Sequence, residues 1–184
     1  MSDLLIEARG AVEIATLNRP DRLNALNEGL VEALNAYFGG LAGRPEVRVV
    51  ILRGAGRGFC AGLDIQEDRG PEDRGGDETP VLRTLRTQTS IGNIYRKMRA
   101  CPQPIIALGH GAACGGGLSL LLASDVRYAA PGFRCNAAYI RIGLGGCDMA
   151  SSYFLPRLVG ASLASEMILS LIHISEPTRR TPIS

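Results

Sequence analysis

Two glycine-rich runs carry the clearest chemical potential in this chain. Gly58-Phe59-Cys60-Ala61-Gly62-Leu63-Asp64 follows one apolar run, and a second stretch from Gly109 to Gly117 follows another. Glycines let a backbone pass close to a ligand and present bare N–H groups. The second run opens a helix, whose first N–H groups lack internal partners and carry partial positive charge. Brought together, two such turns would aim a pair of donors at one point, an arrangement suited to a developing oxyanion. The same glycines would also serve tight strand-to-helix packing alone. A third reading is a dinucleotide site, because Gly109-x-Gly111-x-x-x-Gly115 loosely matches that fingerprint. That fingerprint expects an acidic residue closing a second strand about 20 residues on. Asp125 comes only ten after Gly115 and begins a strand instead.

Other reactive side chains are sparse. The only histidines are His110 and His173, which leaves little for a histidine-dependent triad. His110 reads as a packed or hydrogen-bonded structural residue. The five cysteines (60, 101, 114, 135 and 147) form no C-x-x-C pair, so neither a disulfide framework nor a metal site is expected. Cys60 and Cys114 have no basic neighbour to lower their pKa and read as small buried thiols.

The elements that must position these groups fit one α/β domain. The chain has 184 residues, 46% hydrophobic and 21% charged, with a net charge of +2. That length supports a real core, and so balanced a charge argues against nucleic acid as a partner. No apolar stretch approaches the eighteen residues a membrane span needs, and the start resembles no signal peptide. A cytoplasmic globular protein is expected.

Val12 and Ile14 flank Glu13 as in a half-buried strand. Leu30, Val31, Leu34 and Phe38 recur at helical spacing. Short apolar runs at 48–52 and 105–108 predict buried strands. Residues 66–80, without an aliphatic or aromatic side chain, predict a charged surface loop, read as a solvated lid. A helix is expected from about Val81 to Arg99, with Leu82, Leu85, Ile91, Ile94 and Met98 inward. Another covers Leu118 to Ala123, and strands follow near Val126–Ala129 and Ala138–Ile142. Helices near Ser151–Leu158 and Ser162–Ser170 complete the core over residues 1–170. Residues 171–184 have neither period and contain prolines, so they read as a non-native tail.

Several blocks in order resemble the crotonase (enoyl-CoA hydratase/isomerase) superfamily. They are Leu17-Asn18-Arg19-Pro20-Asp21-Arg22-Leu23-Asn24-Ala25-Leu26, Gly58–Asp64 with Ile65, Ala113–Leu118, Ser124–Ala129, Arg141–Leu144 and Leu155–Gly160. The resemblance implies a spiral of ββα units, here lacking the family's C-terminal helices, and assembly as a homotrimer or hexamer in the complete protein. It implies an acyl-CoA substrate, with coenzyme A part of the substrate and no separate cofactor. It also implies that two backbone N–H groups, of Leu63 and Gly116, stabilise an enolate-like oxygen. Arg22, Ala25, Ala61, Asp64 and Ile65 would fall in the CoA-binding segment.

The sequence departs from the hydratases of that family at two positions. Their glutamates align with Ser119 and Tyr139. Tyr139 could orient substrate or donate a proton, or could be a core tyrosine. Asp125 falls at a position that looks structural. Asp148 lies close to where dienoyl-CoA isomerases and some dehalogenases carry a catalytic aspartate; the other reading is an N-cap for the Ser151 helix. An isomerase-type enolate reaction using Asp148 is therefore expected, the alternatives being a non-catalytic acyl-CoA-binding homologue and ordinary hydration.

Overall fold

The computed structural model describes residues 2–66 and 79–170. The expected charged loop, over 67–78, and the tail at 171–184 lie outside the described residues. The chain opens with an antiparallel pair, β1 (Leu4–Arg9) and β2 (Val12–Leu17). The remaining strands are β3 (Val49–Gly54), β4 (Ile105–Gly109), β5 (Ala112–Cys114), β6 (Val126–Ala129) and β7 (Arg134–Asn136). One sheet has the order β1-β2-β3-β4-β6, parallel from β2 onward, and β5 pairs with β7 in a second, smaller parallel sheet.

The two sheets are climbed together. After β3 the chain reaches Cys60, which bridges Ala113 of β5 in parallel. After β4 it runs into β5, and after β6 into β7. The helices α1 (Glu28–Gly40), α2 (Pro80–Ala100) and α3 (Gly116–Ala123) return it between rungs. This is the expected spiral of ββα units. A last pair, α4 (Ser151–Val159) and α5 (Ala161–Ser170), packs together beyond it.

Local chemistry explains most of these elements. Asn27 caps α1 by accepting the Leu30 N–H at 2.9 Å, and Leu30, Val31, Leu34 and Phe38 form its buried stripe. Thr79 caps α2 through the Leu82 N–H, with Pro80 at the first turn where a missing N–H costs nothing. All eight residues of α3 are buried, in keeping with a composition of glycine, leucine and alanine broken only by Ser119.

Three expectations are corrected. β2 is not half-buried but an interior strand, and its Glu13 is buried against the Arg44 guanidinium and the Tyr37 hydroxyl. Leu82 and Leu85 do not face inward; they are 53% and 61% exposed, while Ile91, Ile94, Tyr95 and Met98 are buried. A 21-residue helix is about 30 Å long, and its contact with α1 is anchored further along, where Asn35 Nδ2 donates to the Ser90 carbonyl. Finally, Ala138–Ile142 is a 3-10 turn, closed by Gly143 in a left-handed conformation, and the strand is β7 just before it. Over five residues a period of three and a period of two are hard to tell apart. No helix among the described residues is long and apolar enough to cross a membrane.

Candidate active site

The spiral brings the two glycine runs into contact. Phe59 N–H donates to the Ala112 carbonyl at 3.0 Å, and Cys114 N–H to the Cys60 carbonyl at 3.0 Å. Gly117 has no room for a side chain against Cys60. At Gly62, where φ is +92°, a β-carbon would lie 2.7 Å from the Cys114 carbonyl oxygen and 3.5 Å from the Gly116 nitrogen. Tight packing and paired donors are thus one arrangement, because the close approach is what sets the two turns side by side.

The neighbours of Leu63 are tied to Leu26: Leu26 N–H donates to Gly62, and Asp64 N–H to Leu26. Gly116 is the first residue of α3. Among the described residues, neither the Leu63 nor the Gly116 N–H donates to a protein acceptor. Both residues line one cavity of about 340 Å³. Ala61, Ile65 and Tyr139 of the expected site line it too, with Leu26, Ile91, Leu144 and Met149. No carboxylate lies among its described lining residues.

Arg22, Ala25 and Asp64 are placed elsewhere, on the loop framing this cavity. Asp64 is buried, with Arg19 at 3.0 Å and Arg22 at 3.2 Å from its two oxygens. Burial opposes its ionisation, but the Arg19 hydrogen bond, the Gln66 N–H and the Arg22 charge together hold its carboxyl below the usual range. Arg22 is half-exposed and also reaches Gln66 at 2.6 Å. The Ala25 carbonyl accepts from Arg19. Asp64 therefore organises the loop by its charge rather than facing the cavity.

The two positions aligned with hydratase glutamates meet in a buried hydroxyl cluster. Tyr139 Oη lies 2.7 Å from Ser119 Oγ and 2.5 Å from Ser151 Oγ, and donates to the Gly115 carbonyl at 3.0 Å. A phenol has one proton and two acceptor sites. With its proton on Gly115, Tyr139 is held in a cluster whose two serine oxygens are themselves 3.3 Å apart. Donation to substrate from Tyr139, one reading of the sequence, does not fit this arrangement.

Asp148 begins a 3-10 turn, Asp148–Ala150, next to cavity-lining Met149; its side chain lies outside the described residues. The N-cap position of α4 is Ala150, left-handed at φ +60° and without a side-chain cap, so the N-cap reading of Asp148 is not supported. Asp125 is structural in its contacts: it accepts the Ile105 N–H at 2.9 Å and pairs with Arg99. With β5 interrupting Gly109–Gly115, the single tight turn of a dinucleotide fingerprint is not formed. His110 Nε2 bonds the Gly56 carbonyl. Burial pushes the Cys60 thiol up to about 12, which suits a packed thiol rather than a nucleophile.

Sequence reasoning assigned no role to Asn24, Tyr95 or Ser151. Asn24 adopts φ +54°, is fully buried and ties Arg19 to the carbonyls of Ala55, Gly58 and Phe59. An asparagine in a stretch without helical or strand period is a signal for such a turn. Tyr95 Oη donates to the Gly116 carbonyl at 3.0 Å; a tyrosine on a buried helix face needs such a partner.

Known proteins share this fold. The family model for enoyl-CoA hydratase/isomerase matches residues 7–176. A protein of Mycobacterium leprae named as a probable enoyl-CoA hydratase is 41% identical over 162 residues, covering 88% of this chain and 55% of its own length. A solved probable enoyl-CoA hydratase/isomerase from Mycobacterium abscessus superposes with a TM-score of 0.84 at 35% identity, covering 95% of this chain and 64% of that one. A Mycobacterium smegmatis enoyl-CoA hydratase gives 0.83 at 32%, covering 94% and 64%. The chain thus spans less than two thirds of the length of each of these proteins. With the family match running through nearly all of the spiral, and the same fold recurring at a third identity, the chain belongs to the enoyl-CoA hydratase/isomerase family.

Proposed function

We propose that this chain handles acyl-CoA thioesters and stabilises an enolate-like oxygen between the N–H groups of Leu63 and Gly116. One observation carries the reading: two residues whose N–H groups have no protein acceptor among the described residues line a single apolar cavity. A thioester gains charge at its carbonyl oxygen when a neighbouring proton leaves, and preorganised donors lower that barrier. The start of α3 adds a favourable partial charge. The apolar lining suits an acyl chain. Outside it, half-exposed Arg22 supplies a cation for the CoA phosphates, on a loop held by Asp64 and bordered by Ala25, Ala61 and Ile65. Coenzyme A enters as part of the substrate, so no separate cofactor is invoked.

Isomerase-type chemistry is favoured over hydration. Water addition calls for acid and base groups, and the two aligned positions carry mutually bonded hydroxyls instead. Asp148 is the proposed acid–base group, shuttling one proton between two carbons. The lack of a carboxylate among the described lining residues supports one other reading, a non-catalytic acyl-CoA binder. A cytoplasmic setting suits the five free thiols. Exposed Val126, Tyr128 and Leu169 are apolar surface that a homotrimer or hexamer would cover.

The test is turnover and binding by the chain. Conversion of a 3-enoyl-CoA to its conjugated 2-enoyl isomer is expected, together with tight binding of an enolate-mimicking CoA analogue that Gly116→Pro abolishes while remaining folded. Formation of 3-hydroxyacyl-CoA would overturn the isomerase preference. Binding without any turnover would select the non-catalytic reading. An analogue bound equally well by Gly116→Pro would refute the donor assignment.

A further inference from the structure

We propose that Tyr139 and Tyr95 are positioning residues that hold the two peptide planes flanking Gly116 and thereby aim its N–H into the cavity. The inference rests on the oxyanion reading above and concerns what makes that donor rigid. The N–H of Gly116 belongs to the same peptide group as the carbonyl of Gly115. Its direction is set by rotation about Gly115, which adopts φ +48° and ψ −120°, and about Gly116. Glycine crosses such regions at little steric cost, so a Gly-Gly peptide has weak intrinsic preference for one orientation. A donor that must be preorganised needs an external hold.

Tyr139 supplies that hold on one plane, donating to the Gly115 carbonyl at 3.0 Å. Gly115 O only accepts, so the phenol donates there. The Oγ atoms of Ser119 and Ser151 lie within hydrogen-bond distance of Oη and, at 3.3 Å, of each other, so the phenol is held from two elements, α3 and α4. Tyr95, fully buried on α2, holds the next plane through the Gly116 carbonyl, also at 3.0 Å. A hydrogen bond accepted at a carbonyl also polarises the N–H of the same peptide, so Tyr139 strengthens the donor as well as aiming it.

The experiment compares Tyr139→Phe and Tyr95→Phe with the parent chain, each first shown to unfold cooperatively. One readout is the infrared stretch of a ¹³C-labelled thioester carbonyl in a bound enoyl-CoA; the other is affinity for an enolate-mimicking CoA analogue relative to a saturated acyl-CoA. The parent is expected to shift the stretch to lower frequency and to prefer the analogue. Tyr139→Phe is expected to reduce the shift and to lower the preference about tenfold, with saturated acyl-CoA affinity little changed. Tyr95→Phe moves both readouts the same way and stands in if Tyr139→Phe does not fold. Folded variants that keep the parent's shift and preference overturn the positioning role while leaving the oxyanion reading intact. A parent that shows neither shift nor preference overturns both.

Discussion

Gly62 and Cys114 are packed so closely that a β-carbon on Gly62 would lie 2.7 Å from the Cys114 carbonyl oxygen. This approach joins the two donor turns, and it also demands φ +92° at Gly62, a region costly for any other residue. Gly62→Ala is expected to lower stability by about 1–3 kcal/mol and to weaken acyl-CoA binding, because relief of the clash separates the turns. Gly43→Ala, where a β-carbon meets nothing within 4 Å and φ is not positive, provides the control. Thermal denaturation of the two variants checks the contrast; equal melting temperatures would show that the turns tolerate the added carbon.

Asn24 offers a second stability test. Its two amide protons are shared among three carbonyls, of Ala55, Gly58 and Phe59, and its oxygen accepts the Arg19 N–H, at a residue with positive φ. Asn24→Ala strands those buried backbone groups and raises the strain, for a cost of about 2–4 kcal/mol. Asn24→Gly relieves the strain but not the lost bonds, so it should fall between parent and Asn24→Ala in urea unfolding. Equal losses in the two variants would mean that the hydrogen bonds, not the dihedral, dominate, and an order with Asn24→Gly lowest would refute the strain argument.

What the amino-acid order revealed follows from physical range. The stripe of α1 and the runs of β3 and β4 were legible because burial along one element writes a period into it. β1 passed unnoticed because it is an edge strand with Leu5 and Ile6 exposed, and β5 and β7, three residues each, are too short to show a period. The glycine runs were legible for a different reason: close backbone approach selects one residue type. The hydroxyl cluster was not, since Ser119, Tyr139 and Ser151 lie on three elements and acquire meaning only when the fold brings their oxygens together. Asp64 shows the opposite case, where its expected place near coenzyme A hid its ion pairs with Arg19 and Arg22.

Those ion pairs make the loop acid-sensitive. The folded Asp64 carboxyl lies below its unfolded value of about 3.9, because the Arg19, Gln66 and Arg22 interactions outweigh its burial. A depressed carboxylate contributes stability that is present above the unfolded value and is lost as pH falls through the folded one. Stability should therefore decline once pH drops below about 4, as Asp64 begins to be protonated. Asp125, depressed through the Ile105 N–H and Arg99 despite its own burial, adds to the same decline. Asp64→Asn should be less stable than the parent at pH 7 and should lose less on acidification, while retaining the Asp125 share. Urea midpoints at pH 7 and 3.5 measure both effects; an unchanged pH dependence would remove Asp64 from the account.

Asp148 is the test of the proposed chemistry itself. A double-bond shift beside a thioester needs a proton removed from one carbon and returned to another, and one carboxylate reaching both can do each step. Among the described residues the cavity offers no carboxylate, and the hydroxyls at Ser119 and Tyr139 are bonded to each other. Asp148 directly precedes buried, cavity-lining Met149, and the left-handed Met149 and Ala150 bend the chain there before α4 begins. Asp148→Asn preserves size and removes proton transfer. In a form with measurable isomerase activity, kcat should fall roughly 10²–10⁴-fold, with binding of the enolate-mimicking analogue retained because the Leu63 and Gly116 donors are untouched. A rate loss below about tenfold in a folded variant that still binds the analogue would take the acid–base role away from Asp148.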